Sequence, residues 1–322
     1  MNLNDLAKHY TDEDKARAFI EQLRWPGGKP YCPHCGEIDK ATKLPPIAGK
    51  INQKGEIPYR KGVWKCRACR KQFTVTVGTI FEDSHIPLAT WLKAIHLLCA
   101  SKKGMSAHQL HRMLGVTYKS AWFMAHRIRY AMTQEPLKSK LSGTVEVDET
   151  YVGGKEYGRQ GVKKNKAAVV SLVERGGKVR SFHAEKVTGA TLKDVIFENV
   201  ERDSHVMTDD FGGYRGLRKD FRRHSTIRHK WKVYSRREGD IIVSTNTIEG
   251  FFSLLKRGII GVYHHVGKHH LHRYLSEFDF RYNARKISDG ERALLAIRGF
   301  EGKRLTYRKP TKPLTDGTLT VK

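Results

Sequence analysis

Two Cys-x-x-Cys pairs constrain the fold of this chain more than any other feature. Cys32 and Cys35 form the first pair, and Cys66 and Cys69 form the second. Each pair places two thiolates on one tight turn, and two such turns close a tetrahedral sulfur shell around Zn²⁺. A four-thiolate shell leaves no open coordination position, so the sequence predicts a structural zinc site. Two redox-active pairs are the alternative, and His34 is a competing ligand.

The charge balance predicts a polyanionic partner. The 322 residues hold 60 Lys and Arg against 33 Asp and Glu, a formal charge of +27. Such a surplus repels itself strongly unless a polyanion shares it, so nucleic acid is the first partner to expect. No run approaches about eighteen consecutive apolar residues, and the first residues lack an apolar leader. We therefore expect no membrane association, no secretion and a cytoplasmic location.

The chain divides into five predicted segments. Their order is a helical lead-in, a zinc ribbon, a helix-turn-helix-like DNA-binding region, an α/β domain and a basic C-terminal tail. Their predicted bounds are 1–28, 29–84, 85–135, 142–286 and 287–322. Three strand patterns, a helix pattern, a further strand and late helices in the fourth segment indicate a layered α/β or α+β structure.

Two short helical patterns predict a helix-turn-helix-like pair. Ser106 and Thr117 are placed as N-caps of the two helices, and Gly115 lies at the turn between them. The second helix would present basic side chains to phosphates and base edges. The alternative is an ordinary helical hairpin with a solvated basic face. The DNA-binding candidates on this helix are Lys119, Arg127 and Arg129.

Three acids on three different elements are candidate ligands of a divalent cation. Asp148 lies in the strand pattern VEVDETY, Asp209 ends HVMTDD, and Glu249 begins the helix pattern NTIEGFFSLLKR. Mg²⁺ or Mn²⁺ prefers a few carboxylates plus water and phosphate, and two ions about 4 Å apart promote in-line phosphoryl displacement. Lys256 lies two helical turns after Glu249, where it would hold a phosphate. Spacing alone does not select these acids over Glu146, Glu149 and Asp210.

The segments that carry these residues resemble one family. CPHCG and WKCRACRKQFTVTVGTIFEDSHIPLATW resemble the zinc-ribbon start of the ISXO-like DDE transposases of bacterial insertion sequences. VEVDETYVGGK, VMTDDFGGY and NTIEGFFSLLKRGIIGVYHHVGKHHLHRYLSEFDFRYN resemble the catalytic domain of that family. The resemblance covers about residues 15–285 and implies a ribonuclease-H-like fold.

The resemblance also implies roles for single residues. The first strand would carry Asp148, a neighbouring strand Asp209, and a late helix both Glu249 and Lys256. The family's TD step favours Asp209 over the acid that follows it. Asn246 is the competing third ligand, although a carboxylate binds a hard cation better than an amide does.

A basic stretch lies between two of the candidate acids. Residues 215–237 hold ten Lys and Arg against one acid, with aromatic residues interleaved. We interpret the stretch as a DNA contact that neutralises phosphates and stacks on bases, and the alternative is a solvated charge run. The DNA-binding candidates here and on the late helix are Arg222, Arg223, Lys230 and Arg257.

The leading functional hypothesis is a transposase. A metal-activated water would hydrolyse a phosphodiester at the ends of the element, and the freed 3′-hydroxyl would attack target DNA. The expected partners are double-stranded DNA, as terminal inverted repeats and target, and at least one further copy of the chain, because two ends must be held together. We expect it at the nucleoid of a bacterial cytoplasm. The alternatives are a DNA-binding regulator and a non-joining nuclease on the same fold.

Overall fold

The computed structural model describes residues 12–49, 55, 59–133, 139–153, 166–228 and 234–306. Its first helix, α1 (Glu13–Arg24), begins where the Asp12 side chain accepts a hydrogen bond from the backbone N–H of Asp14. Five short strands follow: β1 (Ala41–Lys43), β2 (Ile47–Ala48), β3 (Tyr59–Arg60), β4 (Trp64–Cys66) and β5 (Gln72–Phe73). Strand β4 pairs antiparallel with both β1 and β5, and β2 pairs with β3. The ribbon is therefore made of two small antiparallel sheets.

A helical region follows the ribbon. Its helices are α2 (Leu88–Ala100), α3 (Ala107–Leu114) and α4 (Tyr118–Met132). The side chains of Ser106 and Thr117 cap α3 and α4, and Gly115 adopts a left-handed conformation, with φ 65°, between the two helices. Both caps and the turn lie where the sequence predicts them.

The second half of the chain contains a mixed sheet of five strands. They are β6 (Thr144–Val152), β7 (Ala167–Glu174), β8 (Val179–Ala184), β9 (His205–Asp209) and β10 (Arg223–Ile227). Their order across the sheet is β10-β9-β6-β7-β8. Strand β7 is antiparallel to β6 and β8, whereas β6, β9 and β10 are mutually parallel. The predicted α/β class is confirmed.

Helices connect and flank this sheet. Helix α5 (Gly189–Asn199) joins β8 to β9, and the short α6 (Leu217–Asp220) joins β9 to β10. A hairpin and three longer helices follow: β11 (Ser235–Glu238), β12 (Ile241–Ser244), α7 (Asn246–Gly258), α8 (Leu271–Asn283) and α9 (Asp289–Arg298). Within the described residues, none of these helices has the length and apolar character needed to cross a membrane.

The alternation of side chains along β6 gives the sheet two distinct faces. Val145 and Val147 pack in one apolar core with Leu192 of α5. Val152 packs in another core with Ile248 of α7. Because successive side chains of a strand point to opposite faces, the even-numbered side chains of β6 face α7 and the odd-numbered ones face α5.

Helix α8 covers the edge strand β8. The Asp279 carboxylate accepts hydrogen bonds from the backbone N–H and the hydroxyl of Ser181, both at 2.7 Å. The Asn283 side chain accepts from the backbone N–H of Val179, also at 2.7 Å. These N–H groups would otherwise be free to pair with another strand, so the two side chains protect the edge of the sheet.

The C-terminal helix corrects one prediction. The sequence predicts a basic tail over 287–322, but α9 begins with a capping box, and Ala293, Ile297 and Phe300 are buried in the core of the N-terminal half. The tail prediction is wrong for this helix, because its apolar positions recur at helical spacing and fill that core. Residues 307–322 lie outside the described part of the chain.

Candidate functional site

The four cysteines of the two pairs meet in one cluster. The Sγ atoms of Cys32 and Cys69 lie 3.6 Å apart, and those of Cys35 and Cys66 lie 3.7 Å apart. All four sulfur atoms lie within 4.8 Å of one another. Tetrahedral Zn²⁺ with bonds of about 2.3 Å holds its sulfurs about 3.8 Å apart, so the cluster fits a structural zinc ion. His34 contacts a backbone carbonyl oxygen instead.

The strand register brings two of the candidate acids to the same level. Strands β6 and β9 run parallel, and Glu146 lies opposite Met207 at the end of their ladder. Two residues further along each strand are Asp148 and Asp209, whose side chains lie on the face towards α7. Asp148 and Asp209, which are distant in sequence, therefore lie side by side on two neighbouring strands.

Asp148 is destabilised as an anion. Burial, together with the negative charges of Asp209, Glu149 and Glu249, raises the pKa of its carboxyl group to about 7. One hydrogen bond opposes them, from the backbone N–H of Glu149 to Asp148 Oδ1 at 2.8 Å. Its charged neighbours are thus carboxylates, and an added cation would lower this pKa.

Glu249 lies in the first turn of α7 and is exposed. The hydroxyl of Thr245 donates to Glu249 Oε1 at 3.1 Å. Asn246 and Lys256 are also exposed, one at the start of α7 and the other two turns beyond Glu249. We call Asp148, Asp209 and Glu249 the acidic edge. Among the described residues only the four cysteines converge within 4.8 Å, so the three carboxylates share a region without closing that tightly.

Glu146 fixes the start of α7 against the sheet. It is fully buried and accepts from the hydroxyl of Thr247 at 3.0 Å and from the backbone N–H of Ile248 at 3.0 Å. Arg175 Nε donates to the same carboxylate at 2.7 Å. A carboxylate that accepts an N–H of the first helical turn caps that helix. Glu146 therefore positions the helix that carries Glu249.

The structure distinguishes the other neighbouring acids from the acidic edge. Glu149 is odd-numbered on β6 and lies towards α5, where the hydroxyl of the buried Tyr214 donates to it at 2.6 Å. Asp210 is exposed, one residue beyond the end of β9. Glu149 therefore does not share the face of Asp148, which spacing along the sequence alone does not reveal.

Two predicted DNA contacts are corrected. Arg127 is 5% exposed and donates to the carbonyl oxygens of Ile80 and Glu82 at 2.8 and 2.7 Å. Arg129 is 2% exposed and donates to Glu277 Oε2 at 2.6 Å. Both guanidinium groups are held inside the protein, so the predicted phosphate contacts of these two arginines are wrong.

Arg129 belongs to a buried ion cluster that the sequence does not reveal. Glu277 of α8 is fully buried and also accepts from Arg281 and from the hydroxyl of Tyr263, the latter at 2.7 Å. Burial opposes the charge of Glu277, but the two arginines outweigh it and hold its pKa low, at about 2. We call Arg129, Glu277 and Arg281 the buried ion cluster. It joins α4 to α8.

The remaining DNA-binding candidates lie mostly at the surface. Lys119 and Arg257 are exposed, and Arg222 is exposed beside Asp203 at 3.6 Å. Arg223 starts the edge strand β10 and pairs with Glu238 of β11 at 2.7 Å. Part of the predicted basic stretch is therefore a strand and a hairpin. Lys230 lies outside the described residues.

Sequence reasoning missed the supporting roles of Glu146 and Arg175. One signal was present: Glu146 lies two residues before Asp148, so the two acids share a face of one strand. The role of Arg175 could not be predicted from the sequence, because Arg175 follows β7 and reaches Glu146 only when β6 and β7 pair.

Comparisons with known proteins match both halves of the chain. Residues 140–283 match the family model of the ISXO2-like transposase domain, and residues 11–72 match the transposase zinc-ribbon domain. An uncharacterized protein in transposable element ISH50 of Halobacterium salinarum is 26% identical, over 85% of this chain and 92% of that protein.

Two solved structures are also similar in part. A pre-cleavage Mos1 transpososome shares 11% identity over 58% of this chain and 75% of its own, with a TM-score of 0.19. A Mos1 transposase paired-end complex with the left transposon end shares 12% identity over 66% and 80%, with a TM-score of 0.21.

Proposed function

Because this chain belongs to the insertion-sequence DNA transposases, with an ISXO2-like domain and a transposase zinc ribbon, we propose that its acidic edge catalyses cleavage and joining of DNA. The observation that carries the proposal is the placement of Asp148 and Asp209 at one level of adjacent parallel strands, with Glu249 interacting with Asp148 from α7. Asp148, whose pKa is raised by the negative charges of Asp209 and Glu249, forms with them a suitable ligand set for divalent cations.

The acidic edge fits Mg²⁺ or Mn²⁺. Such ions would activate the attacking water or 3′-hydroxyl and stabilise the leaving oxygen of the phosphodiester. Asp148, Asp209 and Glu249 would supply the oxygen ligands, and Asn246 is the alternative to Glu249. Lys256, exposed on α7, would hold a backbone phosphate next to the reacting one. Glu146 would keep α7 in place while the substrate binds.

The strand order supports a ribonuclease-H-like assignment for the catalytic domain. Numbered within the domain the order is 3-2-1-4-5, with an antiparallel second strand and the acids on the first and fourth. We assign residues 142–286 to this domain and 29–84 to the zinc ribbon. We assign 85–135 to a helical DNA-binding region.

The partners follow from the chemistry. Joining two ends to a target requires both ends in one complex, so we propose at least a dimer on double-stranded DNA at the nucleoid. Exposed cations supply the electrostatic contact with the backbone. They are Lys119, Arg222 and Arg257.

Cleavage and joining of labelled DNA from the flanks of the chain's own gene tests the proposal. The reaction is run with Mg²⁺ and with Mn²⁺, and wild type is compared with Asp148→Ala and Glu249→Ala. We expect strand-transfer products that both substitutions abolish and that Asp210→Ala, the matched control, leaves within about threefold of wild type.

The other outcomes each reject a part of the proposal. Cleavage without joining identifies a nuclease, and specific binding without cleavage identifies a regulator. Activity that survives Glu249→Ala but not Asn246→Ala moves the third ligand to Asn246.

A further inference from the structure

An aromatic surface lies where α4 meets the start of α8. The rings of Trp122 and His126 have centroids 4.1 Å apart, and His270 lies 4.8 Å from His126 and 5.4 Å from Trp122. His269 continues the contact, 4.1 Å from His270. Trp122 and His270 are half-buried, and His269 is exposed. The rings therefore lead from solvent to the buried His126.

His126 is buried with unused hydrogen-bonding capacity. It is 1% exposed, and neither ring nitrogen has a hydrogen-bond partner within the described structure. Burial lowers its pKa to about 2 and the pKa of His270 to about 4, so both rings are neutral near pH 7. A neutral imidazole both donates and accepts, and leaving these groups unpaired in the interior is costly.

A second ring pair extends the surface along α4. Tyr118 stacks on His108 with centroids 4.2 Å apart and is 44% exposed. Tyr118 precedes Trp122 by four residues, which places it on the same side of the helix about 6 Å along the axis. Further along α4, Arg127 and Arg129 are buried. The accessible end of α4 therefore presents aromatic rings more than the basic side chains expected of a groove-reading helix.

The surroundings carry positive charge from two stretches of sequence. Residues 84–134 contain no Asp or Glu, and neither do residues 250–276. These two segments supply α4 and the turn before α8, together with the cations Lys119, Lys268 and Arg273. A surface formed by two acid-free segments attracts a polyanion.

We propose that this surface, which we call the stacking surface (Tyr118, Trp122, His269 and His270), binds unpaired nucleotides of DNA. The inference rests on the proposed function for its choice of DNA. Bases in a duplex have both faces covered by their neighbours, whereas an unpaired base exposes a face to Trp122 or Tyr118. The edge of a base entering beside Trp122 would pair with the ring nitrogens of His126. The nearby cations would hold the backbone.

Binding to single strands tests the stacking surface directly. The full zinc-loaded chain is titrated without Mg²⁺ or Mn²⁺ against labelled oligo(dT) of about 20 nucleotides and against the matching duplex. Trp122→Leu keeps an apolar side chain but removes the ring, so we expect oligo(dT) affinity to fall about 5- to 100-fold, the range for losing one stacked base. Trp122→Phe restores it to within about threefold, and duplex affinity changes less than about twofold.

Two controls make the result specific. Tyr59→Leu removes an exposed ring from β3, outside the stacking surface, and leaves both affinities unchanged. Ultraviolet crosslinking of wild type to oligo(dT) that carries 5-iodouracil needs no variant, and we expect adducts on the peptides that contain Trp122 or His269.

The inference is overturned if Trp122→Leu weakens both DNA forms equally, if Trp122→Phe fails to restore single-strand binding, or if the adducts map elsewhere. These results leave the proposed catalysis standing whenever wild type still joins DNA. Conversely, Trp122-dependent single-strand binding by a chain that never cleaves DNA rejects the proposed catalysis and supports the stacking surface.

Discussion

The acidic edge and the buried ion cluster hold carboxylates in opposite electrostatic states. Burial raises the pKa of Asp148 to about 7 at the acidic edge, where its charged neighbours are other acids. Glu277 is more deeply buried, yet Arg129 and Arg281 keep its pKa at about 2. Burial alone therefore does not decide the charge of a carboxylate here. The cations beside it do.

This difference distinguishes a carboxylate that stabilises the fold from carboxylates that we propose to bind metal. A carboxylate paired inside the protein holds two helices together, and breaking such a pair is expensive. At the acidic edge the neighbouring negative charges oppose the ionisation of Asp148, and a metal ion bound there would relieve this cost. The acidic edge is therefore where we expect substitutions to affect catalysis, and the buried ion cluster is where we expect them to affect folding.

Asp209→Asn should give the largest effect. The amide keeps the acceptor that Asp209 offers to the backbone N–H of Phe211 but removes a metal ligand. We expect strand transfer to fall about 10³-fold or more, with the free energy of unfolding of the metal-free protein unchanged or slightly raised. A strand-transfer assay and urea unfolding measure the two quantities, with Asp210→Asn as control. A clear loss of stability in Asp209→Asn would make this acid structural.

Glu277→Gln should act on stability instead. The substitution keeps the shape of the side chain but leaves Arg129 and Arg281 buried without their counter-charge. We expect the free energy of unfolding to fall by about 3–5 kcal/mol, seen as a lower urea midpoint. The exposed Glu198→Gln on α5 is the matched control and should change little. Equal midpoints for the two variants would show that the cluster contributes no net stability.

Glu146→Gln should affect both stability and strand transfer. Glu146 is paired with Arg175, and it also caps α7, the helix that carries Glu249 of the acidic edge. Arg175 is partly exposed, so we expect a loss of about 2 kcal/mol in urea unfolding, smaller than for Glu277. Strand transfer at saturating Mg²⁺ should fall about tenfold, since Glu249 loses its fixed position. Full activity in a destabilised variant would limit Glu146 to folding.

Asp279 has the smallest effect near neutral pH, because its contribution to stability depends on pH and is almost lost by pH 7. Burial raises its pKa to about 7, against hydrogen bonds from Ser181 that lower it. The folded state then binds a proton that the unfolded state releases near pH 4, so this contribution to stability is present below pH 4 and is lost as pH rises to about 7. Asp279→Asn should lack this pH-dependent contribution to stability.

The comparison of wild type with Asp279→Asn is made by urea unfolding between about pH 4 and pH 8. We expect the difference between their free energies of unfolding to change by about 4 kcal/mol across that range, since each pKa unit corresponds to about 1.4 kcal/mol. A constant difference would show that Asp279 ionises in the fold as it does in water.

Much of the fold could be predicted from local pattern. Period-two alternation places β6, helical periodicity with side-chain caps places α3 and α4, and helical periodicity alone places α7. All of these patterns depend on neighbours a few residues away. The prediction of a basic tail over residues 287–322 was wrong for the opposite reason. Helix α9 is stable because its apolar side packs on α2 and α4, which are distant in sequence.

The four cysteines mark a zinc ribbon by spacing alone, because the ligand geometry of Zn²⁺ is encoded in each short turn. The acidic edge depends on the tertiary structure. The sequence offers Glu146, Asp148 and Glu149 as near equals, and strand register, sheet face and the arginine from β7 distinguish them. The inward direction of Arg127 and Arg129 is likewise a property of packing. Charge and spacing are local quantities, whereas the face a side chain occupies is decided only when distant segments pack together.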